Sequence, residues 1–280
     1  MNTGFLRVIG RITAVLIVGF WSMFSASLRA DKPIDPTIAD IPYQLIEQQN
    51  HDAGLFTQGM LVLDGWIYES SGRYGQSKLA RYKESDSSQL VTQPLSRTIF
   101  AEGLAHFNNH FYLLTWRAGK AFVLDEYWSV KKTFSYQGEG WGLTHDGERL
   151  IMSDGSDTLQ FRDADTFEVL SSIRVTGAGR TWDQLNELEY TDGIVWANRW
   201  QTSEIVAIDP QSGRVLGVID LSALSKKHQQ GWYSSDKVAN GIAWSSERQA
   251  FWVTGKYWNK RYLIKPQIPS LVVSEAVDNL

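Results

Sequence analysis

The stretch AEGLAHFNNHFYLLTWRAG, Ala101 to Gly119, reads as a β-hairpin. Apolar residues alternate on both sides of Asn108-Asn109, a pair able to hold the positive φ angles of a tight turn. The first strand starts on an acid, Glu102, followed at once by Gly103. The same grammar recurs in TQGMLVLDGWIYESSG (from Thr57), GWGLTHDGERLIMSDGS (from Gly140), LNELEYTDGIVWANRWQT (from Leu185) and ANGIAWSSERQAFWVTGKYW (from Ala239). Each begins with a polar or aromatic residue, then in four of the five a Gly, then an aliphatic residue or Met. Asp64-Gly65 and Asp192-Gly193 are the dipeptides that type I′ turns prefer.

A further strand-like run follows each hairpin: KLARYKE (Lys78–Glu84), AFVLDE (Ala121–Glu126), TLQFRD (Thr158–Asp163), EIVAID (Glu204–Asp209) and RYLIK (Arg261–Lys265). After the second, third and fourth of these runs, another appears, such as FEVLSSIRV and RVLGVIDL. Aligned on Gln58, Glu102, Trp141, Asn186 and Asn240, the repeats are spaced by 44, 39, 45 and 54 residues. Four strands in about 40–45 residues is the unit of a β-propeller blade. The expected fold is therefore all-β, a five-bladed propeller of four-stranded blades around a central channel. The fifth repeat has no outermost strand of its own. Either YQLIEQQ (Tyr43–Gln49) or SLVVSEAV (Ser270–Val277) could supply it and hide the open edge; the N-terminal segment is the preferred choice.

The chain's 280 residues, 43% hydrophobic and 21% charged, suit a globular domain with a substantial core. There is no cysteine, which excludes disulfides, thiolate metal sites and thiol catalysis. Arg7 and Arg11 precede the apolar run Ile12–Phe24, and small residues follow up to Ala30. That order is the order of a secretory leader, and the run is shorter than the roughly 20 residues of a membrane span. A cleaved leader is preferred over an uncleaved anchor, although Leu28 fits poorly before a cut after Ala30. Both place the domain outside the cytoplasm, periplasmic or secreted. Without residues 1–30, Lys plus Arg falls from 27 to 24 against 31 Asp plus Glu, so the charge moves from −4 to −7. An acidic domain with no basic run is a poor match for a phosphate backbone, and nucleic acid is not expected as a partner. The expected organisation is a leader at 1–30, a linker at 31–42, the propeller at 43–267 and a tail at 268–280.

In a propeller, equivalent residues of the innermost strands form a ring, here Gln58, Glu102, Trp141, Asn186 and Asn240. A second set at the far end of each hairpin comprises Trp116, Asp154, Trp200 and Lys256. A ring of Gln and Asn alone could do no more than bind channel water. A lone acid among indoles points instead to a small-molecule pocket, in which partial desolvation raises the carboxyl's pKa toward the range useful for proton transfer. Other signals are weak. His106 and His110 flank a turn rather than a zinc site, DADT at Asp163 lacks the Gly and later acid of a calcium loop, and Gly255-Lys256 lacks the upstream Gly of a P-loop. Ser156 is not in a nucleophile elbow. Glu187 and Glu189 alternate with Asn186 and are expected to make contacts between blades.

The motifs FTQGM (Phe56–Met60), YESSGRYGQSKL (Tyr68–Leu79), FAEGL (Phe100–Leu104), GWGLTHDG (Gly140–Gly147), LIMSDGS (Leu150–Ser156), LNELEY with WANRWQT (Leu185–Thr202), and NGIAW with VTGK (Asn240–Lys256) resemble those of the plant-type glutaminyl-peptide cyclotransferases. They run in order over nearly all of residues 43–265. Where the family pattern has FGEGL and VTGKxWP, this chain has FAEGL and VTGKYWN. The resemblance implies conversion of an N-terminal glutaminyl residue to pyroglutamyl with release of ammonia. Glu102 matches the family's acid/base glutamate, and Gln58, Trp141, Asn186, Trp200 and Lys256 match its other channel residues. It also implies no metal or other cofactor in the reaction, and peptides or proteins that begin with Gln as substrates; a monomer is expected. A propeller that only binds peptides would keep the aromatic walls but have no need of Glu102 in this setting.

Overall fold

The computed structural model describes residues 38–229 and 234–268. Five small antiparallel sheets follow one another along the chain, and each runs outward from an innermost strand. Blade 1 comprises Thr57–Leu63, Trp66–Ser71, Lys78–Lys83 and Asp86–Pro94. Blade 2 comprises Ala101–Phe107, His110–Thr115, Lys120–Leu124 and Val130–Ser135; blade 3 comprises Leu143–His145, Leu150–Ser153, Thr158–Arg162 and Val169–Arg174. Blade 4 runs Leu185–Thr191, Ile194–Arg199, Glu204–Ile208 and Val215–Asp220, and blade 5 holds Ala239–Ser245, Ala250–Gly255 and Lys260–Pro266. The hairpin tips turn as their dipeptides demand: Asp64-Gly65, Asn108-Asn109 and Asp192-Gly193 all have positive φ. Blade 1 has an outer strand, DSSQLVTQP, that apolar patterning misses because most of its residues face solvent.

The N-terminal segment closes the ring. Tyr43–Asn50 pairs antiparallel with Lys260–Pro266 as the fourth strand of blade 5, from Tyr43 opposite Pro266 to Asn50 opposite Lys260. The linker expected up to residue 42 is already part of the sheet from Ala39. Ala39 and Asp40 pair in parallel with Gly217 and Val218 on the edge of blade 4, and Ile41 is buried behind them. Residues 1–30 and the alternative closing segment Ser270–Val277 lie outside the described residues.

Blades hold one another through apolar faces. Leu61, Tyr68 and Leu79 of blade 1 meet Leu104 and Leu113 of blade 2; Tyr112 and Phe134 of blade 2 meet Met152 and Phe167 of blade 3. Comparable clusters join blades 3 and 4, 4 and 5, and 5 and 1, where Trp196 and Trp252 are completely enclosed. Burying one such large side chain stabilises by about 2–3 kcal/mol.

At the channel the contact is backbone on backbone. Gly103 N–H donates to the Trp141 carbonyl at 2.7 Å. A Cβ at Gly103 would sit 2.5 Å from the Leu143 nitrogen, and one at Gly142 would collide with the Asn186 carbonyl. In blade 4 the Gly is replaced by Glu187. Its buried carboxyl accepts Ile242 N–H at 2.7 Å and Met60 N–H at 3.2 Å, tying blades 5 and 1 to blade 4. Glu189 accepts Trp244 N–H at 2.8 Å, so both acids make the expected contacts between blades.

The seam between the first and last blades also carries buried charge. His51, directly after the closing strand, contacts the Trp258 carbonyl through Nδ1 at 2.8 Å and Glu69 through Nε2 at 3.1 Å. Glu69 further accepts from Thr57 Oγ1 at 2.9 Å and from the Tyr82 hydroxyl. Burial alone would lower the His51 pKa, but the Glu69 charge and these hydrogen bonds outweigh it and raise it above 6.5. Burial would raise Glu69, but His51 and the Thr57 and Tyr82 hydroxyl donors hold it below 4.5. The imidazolium's contribution to stability is thus complete below about pH 6.5 and is lost as pH rises through its raised folded value; the carboxylate's is complete above about pH 4.5 and is lost as pH falls through its lowered one. We predict that His51→Gln costs about 3 kcal/mol or more, since it strands a buried charge. Urea unfolding should show the largest gap from wild type near about pH 5.5, shrinking toward alkaline pH. An equal midpoint across that range would rule the ion pair out as a determinant of stability.

Candidate active site

The innermost strands do not deliver their ring residues by simple alternation. One-residue bulges interrupt the pairing between Thr57 and Gly59, Ala101 and Leu104, Leu185 and Leu188, and Ala239 and Ile242. Each bulge falls on the ring position and re-aims its side chain, a common device beside binding sites. A cavity of about 220 Å³ lies at this end of the channel. Gln58, Glu102, Trp141, Asn186, Trp200, Lys256 and Trp116 all line it, as the sequence leads one to expect.

Two expected residues do not. Asn240 is fully buried behind Gln58, donating through Nδ2 to the Thr57 carbonyl at 2.9 Å and to Gln58 Oε1 at 3.3 Å. Asp154 turns onto its own loop, accepting Ser156 N–H at 3.0 Å and Ser156 Oγ–H at 2.6 Å. The reason is register. Leu143 pairs with Met152 as Leu104 pairs with Leu113, so the counterpart of Trp116 in blade 3 is Gly155, not Asp154. The missing side chain at Gly155 makes room for the Trp141 ring, which a Cβ there would meet at 2.6 Å.

Phe56, Phe100 and Val238 also line the cavity, each two residues before a ring position, together with Arg73, Gln201 and Asp236. The first three could have been found by moving the alignment back two residues. Arg73 and Asp236 come from loops outside the repeat and pair with each other across the rim.

Glu102 is 4% exposed, and its Oε1 accepts from Gln58 Nε2 at 2.8 Å. Asn240, Gln58 and Glu102 therefore form a chain of side-chain hydrogen bonds, while Ser70 Oγ–H holds the Glu102 backbone carbonyl. Burial pushes the Glu102 carboxyl well above its ordinary 4.5; the Lys256 cation opposes this and the Glu139 anion adds to it. Lys256 is itself buried, its Nζ 4.8 Å from the Phe56 ring centre, and desolvation lowers its pKa to about 8 against the pull of Glu102. A carboxyl and an amine with these shifts can exchange protons with a ligand near neutral pH. Asn186 Oδ1 is buried without a partner among the described residues, so this amide is available to a ligand. Trp141 stands edge-on to Trp200, with centroids 5.5 Å apart at 87°.

A second cavity, about 530 Å³, opens at the other end of the channel beside His106, His145 and Glu189 and shares no lining residue with the first. His110 contacts the Asn108 carbonyl at 2.8 Å within the hairpin turn. Among the described residues no three His, Cys, Asp or Glu side chains converge as a metal site.

A propeller whose channel ends in a buried carboxyl of raised pKa beside indole walls fits a small-molecule enzyme site better than a bare scaffold. Comparison with known proteins narrows the class. Residues 15–266 match the profile of the glutamine cyclotransferase family. The chain is 36% identical over 225 residues to the glutaminyl-peptide cyclotransferase of Arabidopsis thaliana, covering 79% of this chain and 70% of that protein. The crystal structure of Myxococcus xanthus glutaminyl cyclase superimposes with a TM-score of 0.77 at 33% identity, over 83% of this chain and 99% of that one. The chain belongs to the glutamine cyclotransferase family and is an enzyme of that family.

Gly155→Ala should force Trp141 off the cavity wall, because the Cβ meets the ring and the backbone there has φ +84°. The expected loss is about 1–3 kcal/mol, read from urea unfolding. A crystal structure of the variant with Trp141 unmoved would contradict this account of the wall.

Proposed function

We propose that this enzyme converts N-terminal glutaminyl residues of peptides or proteins to pyroglutamyl residues, with Glu102 as the acid/base. The observation that carries the reading is the buried Glu102 carboxyl, hydrogen-bonded to Gln58 and facing Lys256 across an indole-walled cavity. The substrate's α-amine attacks its own γ-carboxamide carbon, so holding one molecule folded on itself is most of the task. As the new N–C bond forms, the Glu102 carboxylate takes a proton from the amine. It returns that proton to the amide nitrogen, which leaves as ammonia when the old C–N bond breaks. A free α-amine has a pKa of about 7.7–8.0, and raising the Glu102 value toward it brings the two proton sites closer in energy.

The carbonyl oxygen gains negative charge at the intermediate and needs donors. The Trp116 and Trp141 N–H groups are already bound by Glu139, and Gln58 Nε2 by Glu102. The Lys256 ammonium, the Asn186 Nδ2–H groups, the second Gln58 Nε2–H and the Trp200 indole N–H remain to supply them. This route uses no metal: the nucleophile is an amine, and the proton carrier and charge stabilisers are side chains. The enzyme acts as a monomer, and its basic-apolar-small N-terminus directs it to the periplasm or the medium.

Ammonia release from a Gln-initiated dipeptide tests the reading. Purified residues 31–280 should release ammonia, and Glu102→Gln, with its fold intact, should be slower by roughly a hundredfold or more. Near-normal turnover by the variant would remove Glu102 from the chemistry. No release by folded wild type would favour a propeller that only binds peptides. Activity should also survive EDTA; a loss reversed by zinc would mean that the metal-free route is wrong.

A further inference from the structure

Glu139 stands two residues before Trp141, the place that Phe56, Phe100 and Val238 occupy before their own ring residues. It is the acid of that inner row. Its Oε2 accepts the Nε1–H of Trp116 at 2.7 Å and of Trp141 at 2.9 Å. Its Oε1 accepts Arg117 Nε–H at 2.8 Å, and the Arg117 guanidinium lies 3.8 Å from the Trp116 ring centre. One oxygen thus ties an indole of blade 2 to an indole of blade 3. Trp116 rests against Phe100 at 5.3 Å, and Trp141 continues the wall to Trp200 of blade 4. An ionised carboxylate oxygen has lone-pair sites for both donors, and hydrogen bonds to a charged acceptor are about twice as strong as neutral ones. Burial would raise the Glu139 pKa, but the hydrogen bonds from Trp141, Arg117 and Trp116 lower it and keep the group ionised.

We propose that Glu139 is a positioning residue of this site, locking Trp116 and Trp141 into one wall against the substrate's glutaminyl chain. The inference rests on the cyclotransferase reading for its substrate, not for its clamp. Two consequences separate positioning from simple packing. Losing the acceptor frees both indoles, so the glutaminyl chain is held less well and KM rises. Losing only the charge acts on Glu102. The ionisable groups around that carboxyl are Lys256, which favours its charged form, Glu139, which disfavours it, and Tyr136, whose own pKa the Glu102 charge raises. Arg73 and Asp236 act one step further out, through Lys256. Neutralising Glu139 therefore lowers the Glu102 pKa and moves the acid limb of kcat/KM to lower pH.

The experiment compares wild type, Glu139→Ala and Glu139→Gln, using a Gln-initiated dipeptide and the indole ¹⁵N–¹H resonances of Trp116 and Trp141, assigned through Trp→Phe variants. Glu139→Ala should shift both resonances and raise KM by roughly tenfold or more, with a smaller change in kcat. Glu139→Gln, whose amide oxygen still accepts, should recover most of the KM while its acid limb moves to lower pH. Unmoved indole resonances in Glu139→Ala overturn the clamp, and a Glu139→Gln profile superimposable on wild type overturns the action on Glu102. If Glu139→Ala does not fold, the indole resonances of Glu139→Gln decide: both should shift as their acceptor loses its charge, and unmoved resonances overturn the clamp. Should wild type cyclise nothing, the cyclotransferase reading fails, while the indole resonances still accept or reject the clamp.

Discussion

Backbone meets backbone at the top of the channel, and the rest of the molecule is arranged around that approach. Gly103 packs on Trp141 and Leu143, and Gly142 packs on Asn186, at separations no Cβ permits. Five twisted sheets converging this closely leave no space for side chains between their inner edges. The residue before each glycine, or its counterpart before Glu187, must therefore project elsewhere; bulges turn Gln58, Glu102 and Asn186 to the cavity, whereas Asn240 stays buried behind Gln58. Tight packing and the presentation of Gln58, Glu102, Trp141 and Asn186 are one geometric fact. Where the glycine is absent, Glu187 does its work by another means, with a carboxyl reaching to two backbone N–H groups.

Burying a carboxyl such as Glu102 disfavours its charged form, and nothing within hydrogen-bonding distance fully relieves this. Gln58 gives one donor, and Lys256 acts through space from beside the Phe56 ring. The pair is left poised, a carboxyl raised and an amine lowered, where a bidentate salt bridge would have held both ionised. Contrast the His51–Glu69 pair at the seam between blades 5 and 1. There, direct contact and two further donors to Glu69 overcome a comparable burial and fix both charges. The same residue type serves a seam in one place and chemistry in the other, according to how completely its lone pairs are satisfied.

Much of this was legible in the chain because hairpin tips and period-two alternation are local. Asp64-Gly65 and Asp192-Gly193 mark their turns, and the aligned first residues give the ring. What alignment could not supply was register. Asp154 was matched with Trp116 where pairing matches Gly155, a one-residue difference that replaces a carboxylate in the cavity with an empty space for Trp141. The solvent-facing strand Asp86–Pro94 lacks an apolar period, and Ala39–Asp40 is too short to have one. Glu139 carries no motif of its own; its place in the site comes from the two indoles that fold back to it.

The two cavities share no wall, and between them lie Glu187 and the glycine-to-backbone contacts. The upper cavity is thus a blind pocket, floored by the packing that closes the ring. Glu102 lies within that pocket, hydrogen-bonded to Gln58 and under the influence of Lys256. The packing that builds the propeller thus also bounds the pocket, and widening its floor would loosen the fold.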